Sequence, residues 1–194
     1  TSLGGSFSNN YLIDFTFVDY THSTRHAGVN GLRERSSNSM YGIWTNTLKY
    51  SNILCNHRLS VLAGSEAIKY TGRSLNGTRS DYFSNQFGYL VLQNGSLDID
   101  NSSSAYVNTL FSLFGRLDYS YRDKYLLGLT VRRDGSSKFG TESRYGVFPS
   151  VSVGWRISEE SFLDGAGWLS DLKLRGSYGE LGNQSNISND NAYT

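Results

Sequence analysis

The sequence alternates, and a period of two is the strongest constraint it places on its own fold. Over residues 111–121 the odd positions are Phe111, Leu113, Gly115, Leu117, Tyr119 and Tyr121. The even positions are Ser112, Phe114, Arg116, Asp118 and Ser120. The pattern returns as Tyr125, Leu127, Leu129 and Val131 against Leu126, Gly128, Thr130 and Arg132. It returns again as Val147, Pro149, Val151, Val153, Trp155 and Ile157 against Phe148, Ser150, Ser152, Gly154, Arg156 and Ser158. Leu172, Leu174 and Tyr178 alternate likewise with Lys173, Arg175 and Ser177. Successive strand residues point to opposite faces, so each run is a strand with one apolar face and one charged or small face. Phe114, Leu126 and Phe148 are the exceptions on the polar face.

Two architectures share that pattern. A soluble β-sandwich buries the apolar face, and a membrane barrel turns it to lipid with the polar face to the lumen. The 14 Tyr, 10 Phe, 3 Trp and 21 Gly suit strands and turns. No run approaches the roughly 18 apolar residues of a membrane helix. Tyr119, Tyr121, Tyr125 and Trp155 gather at one level of the apolar faces, as in an interfacial girdle; cross-strand pairs in a soluble sheet give the same cluster.

About seven strands are expected, over residues 11–20, 41–50, 57–72, 109–121, 125–134, 147–158 and 171–182. The links between them run long at 21–40, short at 51–56, long at 73–108, very short at 122–124 and long at 135–146; the last, at 159–170, is intermediate and breaks the alternation slightly. Long outer loops and short inner turns are a barrel trait. Opposed residues share a face, so two odd apolar sets require an odd loop. The three residues Arg122-Asp123-Lys124 place Tyr121 opposite Tyr125 and Leu117 opposite Leu129. Seven strands are too few to close, since the smallest natural membrane barrels have about eight. With Thr1 in place of an initiator Met and a polar end at Thr194, the expectation is a piece of a larger barrel.

One stretch is recognisable. The run Phe114-Gly115-Arg116-Leu117-Asp118-Tyr119-Ser120-Tyr121-Arg122-Asp123-Lys124-Tyr125-Leu126-Leu127 is followed by Arg132-Arg133-Asp134-Gly135-Ser136-Ser137-Lys138-Phe139-Gly140. Then come Phe148-Pro149-Ser150-Val151-Ser152-Val153-Gly154-Trp155-Arg156-Ile157-Ser158-Glu159-Glu160 and Ser170-Asp171-Leu172-Lys173-Leu174-Arg175-Gly176-Ser177-Tyr178-Gly179. These resemble, in order and spacing, a barrel segment toward the C-terminal side of SusC/RagA-like TonB-linked outer-membrane transporters. The likeness is close over residues 109–183 and looser over 41–72. It implies a partial TonB-dependent-receptor barrel spanning residues 1–194, with the plug domain and the barrel's last strands lying outside this chain. It also implies residence in the bacterial outer membrane and uptake of oligosaccharides or peptides with a SusD-like surface lipoprotein. Coupling to the TonB complex would run through segments this chain lacks. A soluble carbohydrate-binding sandwich and a passive porin are the alternatives.

The loop 73–108 carries the candidate contact residues for substrate or partner, Tyr82, Phe83, Phe87 and Tyr89, because recognition concentrates on loops held by a rigid scaffold. The same rings could serve only to fold the loop on itself. Asp98, Asp100 and Asn101 lack a complete calcium spacing; His22, His26 and His57 lie in or beside loops, and His22 and His26 have no nearby third ligand, so no metal or cofactor is expected. Cys55 falls in a turn and has no partner for a disulfide. No catalytic set stands out, so an enzyme is not expected. A net charge of +1 gives no reason to expect nucleic acid.

Overall fold

The computed structural model describes residues 1–17, 29–163 and 169–184. Seven strands follow one another as neighbours in a single antiparallel sheet: β1 (Ser2–Thr16), β2 (Gly31–Leu54), β3 (His57–Tyr82), β4 (Gly95–Tyr121), β5 (Tyr125–Ser136), β6 (Tyr145–Arg156) and β7 (Lys173–Gly179). The remaining described elements are single turns of 3-10 helix, at Phe87–Tyr89, Leu92–Asn94, Ile157–Glu159 and Ser161–Leu163.

The expected strands are present, but of the three expected long loops, 21–40 is strand from Gly31 onward and 73–108 is mostly strand. β2 begins at Gly31 rather than near residue 41, β3 continues to Tyr82, and β4 starts at Gly95. The link within 73–108 therefore shrinks to residues 83–94, and the turn expected at 51–56 shrinks to Cys55-Asn56. β2, β3 and β4 have 24, 26 and 27 residues, over twice the 9–11 a tilted membrane strand needs. Beyond the lipid an apolar face is not required, so the period-two signal fades while pairing continues. Leu97 and Ile99, alternating with Asp98 and Asp100, still carried that signal next to the serines 102–104. The end of the first expected strand, residues 18–20, and His22 and His26 lie outside the described residues.

The chain divides into two compact units: Thr1–Gly4, Gly42–Lys69 and Asn108–Thr194 form one, and Gly5–Tyr41 with Tyr70–Val107 form the other. In the first unit, the register fixes the faces. Leu117, Leu129, Val151 and Tyr178 form one cross-strand row; Asp118, Gly128, Ser152 and Ser177 form the next, on the opposite face. The turn at 122–124 sets this register as parity requires, pairing Tyr121 with Tyr125 and Leu117 with Leu129. It does so with Arg122 and Asp123 both left-handed, at φ 52 and 53, and the Lys124 N–H donates to Tyr121 O at 3.0 Å. Positive φ at both central residues is the hairpin geometry usually given to Asn-Gly; here two L side chains accept the strain.

The three exceptions on the polar face lie against glycines. A Cβ on Gly64 would stand 2.5 Å from the Phe114 ring, and one on Gly146 or Gly182 would stand 2.6 or 2.3 Å from that of Phe148. Leu126 lies beside Gly154. Each large side chain lies flat where its neighbour has none.

The second unit has its own small core of Leu32, Tyr82 and Leu90, with Phe15 and Leu92 against it.

Candidate functional site

Three places in the chain combine chemistry with position: the polar face of the first unit, the aromatic row at its short turns, and the loop of the second unit.

On the polar face Arg132 is the hub. Its Nε donates to Asp134 Oδ1 at 2.7 Å, and Nη2 donates to Glu66 Oε1 at 3.1 Å and to the fully buried Ser112 hydroxyl at 2.9 Å. The guanidinium also stands 5.6 Å from the centre of the Phe114 ring. Glu66 lies on β3 and Arg132 on β5, so this pair reaches across β4. Thr45 on β2 adds its hydroxyl to Glu66. Sequence reasoning placed Arg132 on this face but missed Glu66, because the β3–β4 register was not legible. The guanidinium of Arg116 spends two donors on Asp118 in its own strand, at 2.8 and 2.9 Å. Arg156, Lys173 and Arg175 cluster on the same face, Arg156 opposite Lys173 and Arg175 opposite Gly154. They form no ion pair among the described residues.

At the short turns the apolar face carries the row Tyr121, Tyr125, Trp155 and Leu174. His57 packs against Tyr121 with the rings tilted by 41° and centroids 4.8 Å apart, and it hydrogen-bonds the Tyr119 hydroxyl at 2.7 Å. Glu160, beyond β6, draws the row together: it accepts from Tyr125 OH at 2.7 Å, Trp155 Nε1 at 3.0 Å and Lys124 Nζ at 3.3 Å. The indole N–H, then the phenol, and the Lys124 ammonium hold its carboxyl below the usual range.

In the second unit the four loop aromatics separate. Tyr82 is buried at 6% exposure. Its backbone is gripped by the buried Asn30 side chain: Asn30 Nδ2 donates to Tyr82 O at 2.8 Å and Tyr82 N–H to Asn30 Oδ1 at 2.7 Å. Phe83 and Phe87 stand 74% and 80% exposed, and Tyr89 is half-exposed with its ring 5.2 Å from that of Phe83. Tyr82 thus fills the core, Phe83 and Tyr89 form an open aromatic pair, and Phe87 stands exposed on the same loop. At the base of the loop, Asp81 and Asp98 are both left-handed, at φ 62 and 48. They exchange partners across β3 and β4: Ser96 donates to Asp81 and Ser80 to Asp98. Asp98 thereby accepts a serine hydroxyl, and no set of three metal-ligating side chains occurs among the described residues.

A single antiparallel sheet, apolar on one face and polar on the other, with strands longer than a bilayer requires, defines the wall of a large membrane β-barrel. The whole chain, residues 1–194, matches the family described as TonB dependent receptor-like, beta-barrel, and it belongs to that family. It is 38% identical over 142 residues to TonB-dependent receptor P26 of Formosa agariphila, covering 72% of this chain and 14% of that protein. It is 54% identical over 86 residues to TonB-dependent receptor SusC of Bacteroides thetaiotaomicron, covering 44% of this chain and 8% of that protein. Among solved structures it is similar to the RagAB peptide transporter, with a TM-score of 0.80 at 27% identity, over 91% of this chain and 20% of that one. The chain spans less than a fifth of the length of the curated relatives it matches. These relatives are receptors rather than enzymes, and proteins of this family are outer-membrane barrels. In such a barrel the apolar face meets lipid and the polar face the lumen.

Proposed function

We propose that this chain is part of the barrel wall of an outer-membrane importer that takes up oligosaccharides or peptides with a SusD-like surface lipoprotein. The supporting observation is the register, which puts Leu117, Leu129 and Val151 on one face and Arg116, Thr130 and Ser150 on the other. A wall of this kind serves cargo too large to diffuse through an open pore. The barrel extends beyond this chain, and the plug domain and the TonB-contacting segment lie outside it. The energy for uptake enters through them. Arg156, Lys173 and Arg175 face the lumen, where a plug would meet them. Phe83, Phe87 and Tyr89 form the surface offered to lipoprotein or cargo, since exposed rings present flat apolar area to sugar faces and protein partners alike.

The test is co-purification of the full-length protein from its own outer membrane, with identification of the bound lipoprotein and of the growth substrate that induces both. A SusD-like lipoprotein carried by wild type and lost with Phe83→Ser/Phe87→Ser is the expected result. A full-length protein that inserts, carries no lipoprotein and passes small solutes freely overturns the reading in favour of a passive pore.

A further inference from the structure

The apolar face has a second level with its own chemistry, ten residues along β5 from the aromatic row at the turns. Tyr125 lies opposite Trp155 and Gly135 opposite Tyr145. Ten residues advance roughly 33 Å along a strand, or about 25 Å along the membrane normal at a barrel strand's tilt of about 40°. That matches the height of the apolar band, about 25 Å, so the Tyr145 level sits at the opposite interface. Two of the three links at the other end are tight turns, at 55–56 and 122–124, and no link at this end among the described residues is as short, which makes it the outer one.

Here lies a shallow groove of about 520 Å³ lined by Leu3, Trp44, Phe111 and Tyr145 together with Lys69 and Arg144. No carboxylate lines it. Arg133 adds a third cation, its guanidinium 4.4 Å from the centre of the Tyr145 ring. Arg133 is the one charged side chain in the odd set of β5, which is apolar from Tyr125 to Val131. A cation on a lipid-facing row is costly at mid-membrane and cheap at the interface, which agrees with the measured level. Lys69, Arg133 and Arg144 are all exposed, and none forms an ion pair among the described residues.

The geometry points to a binding site for a phosphate-bearing lipid of the outer leaflet, its headgroup on Lys69, Arg133 and Arg144 and an acyl chain along Trp44 and Phe111. Charge decides the occupant. Three cations without a counter-ion, above an apolar surface and level with the headgroups, complement an anionic amphiphile. This inference rests on the outer-membrane location and not on what is imported.

The test uses the full-length protein in a non-ionic detergent, with native mass spectrometry counting retained lipid. The probes are a bisphosphorylated glycolipid of the outer leaflet, the same lipid after enzymatic dephosphorylation, and inorganic phosphate as competitor. Each basic side chain at a membrane surface contributes about fivefold in affinity, so wild type should prefer the bisphosphorylated lipid by roughly 100-fold. Lys69→Gln/Arg133→Gln/Arg144→Gln should abolish that preference, while the lumen-face variant Arg156→Gln/Arg175→Gln should keep it. Should the triple variant fail to insert, Arg144→Glu alone must lower the preference about tenfold or more, as charge reversal at one of three contacts requires. Equal retention of both lipids by wild type, an unchanged preference in the variants, or displacement by millimolar inorganic phosphate overturns the inference. Uptake by the same variants separates this site from the import reading, because its loss leaves transport of cargo intact.

Discussion

Tyr121 and Tyr125 face each other directly across the turn 122–124, with their rings stacked and their centroids 6.4 Å apart. The pair depends on a turn that holds two non-glycine residues in the left-handed region. Each costs roughly 1 kcal/mol relative to a residue suited to it. Replacing Arg122-Asp123 with Asn-Gly should therefore raise the unfolding stability of the full-length barrel by about 1–2 kcal/mol. The gain is partly offset by losing Asp123 as acceptor for Arg58 and Ser120, both long contacts at 3.4 and 3.3 Å. Urea unfolding from lipid vesicles measures it, and a lower midpoint would mean that those contacts outweigh the strain.

Leu129 sits between Leu117 and Val151 in the middle of the lipid-facing rows. Leu129→Arg should cost about 2–4 kcal/mol of folding free energy in vesicles, the depth-dependent cost of a cation near the midplane. Thr130→Arg, one residue along on the lumen face, should cost far less. Spin labels at Leu117 and Leu129 should report lipid contact, and labels at Arg116 should report water. The opposite accessibility would invert the wall.

Within the lipid band, the fold could be read from the chain with little loss. The parity of Tyr121 and Tyr125 fixes the register of β4 with β5, and lipid forces the alternation that parity needs. Elsewhere that force is missing. Residues 31–40 and 73–82 extend strands already longer than the 9–11 residues a bilayer requires, so nothing obliges their apolar residues to keep period two. Residues of left-handed backbone at the base of the loop, Asp81 on β3 and Asp98 on β4, look like loop and act as paired irregularities in a continuing ladder. Of the loop aromatics, all four were legible as a cluster. Which one turns inward was not, because it depends on Asn30, some 50 residues away in sequence.

Arg132 has three polar partners on three strands, and its own side chain is about one-third exposed. Arg132→Met should destabilise the barrel by about 2 kcal/mol, a buried-pair loss discounted for the exposure. Much of the cost is the desolvation of Glu66, Asp134 and Ser112 left without a donor. Adding Glu66→Gln and Asp134→Asn should recover most of it. A strictly additive double-mutant cycle would show that the hub carries no coupling.

Glu160 makes the short-turn end sensitive to acid. Its folded carboxyl titrates below its unfolded value of about 4.3, so the ionised clasp stabilises the protein at every pH above that value. The contribution is lost as pH falls through the lower folded value, where both states are protonated. Between pH 5 and pH 3 the melting temperature of the wild-type barrel should drop further than that of Glu160→Gln. Parallel pH profiles would remove Glu160 from the account.

Burial separates the loop aromatics into two kinds of variant. Tyr82→Ala should cost about 3 kcal/mol locally and open the loop to limited proteolysis. Phe83→Ser/Phe87→Ser should leave proteolysis unchanged and weaken lipoprotein pairing or uptake. If the second pair leaves both pairing and uptake at wild-type levels, the cluster is only surface.

The rings of Phe114 and Phe148 lie against Gly64, Gly146 and Gly182, and this governs clearance inside the barrel. A ring laid into the space a missing side chain leaves adds no height to the inner wall, whereas a ring standing upright would project by its own length. The glycines act as recesses into which the large side chains of this face settle. Alanine at Gly64 would stand 2.5 Å from the Phe114 ring and 2.8 Å from the Asn46 carbonyl oxygen of β2, so both the ring and the neighbouring strand would have to give way. In an importing barrel the displaced ring would narrow the lumen, so reduced flux should accompany whatever stability the strained β2–β3 pairing loses.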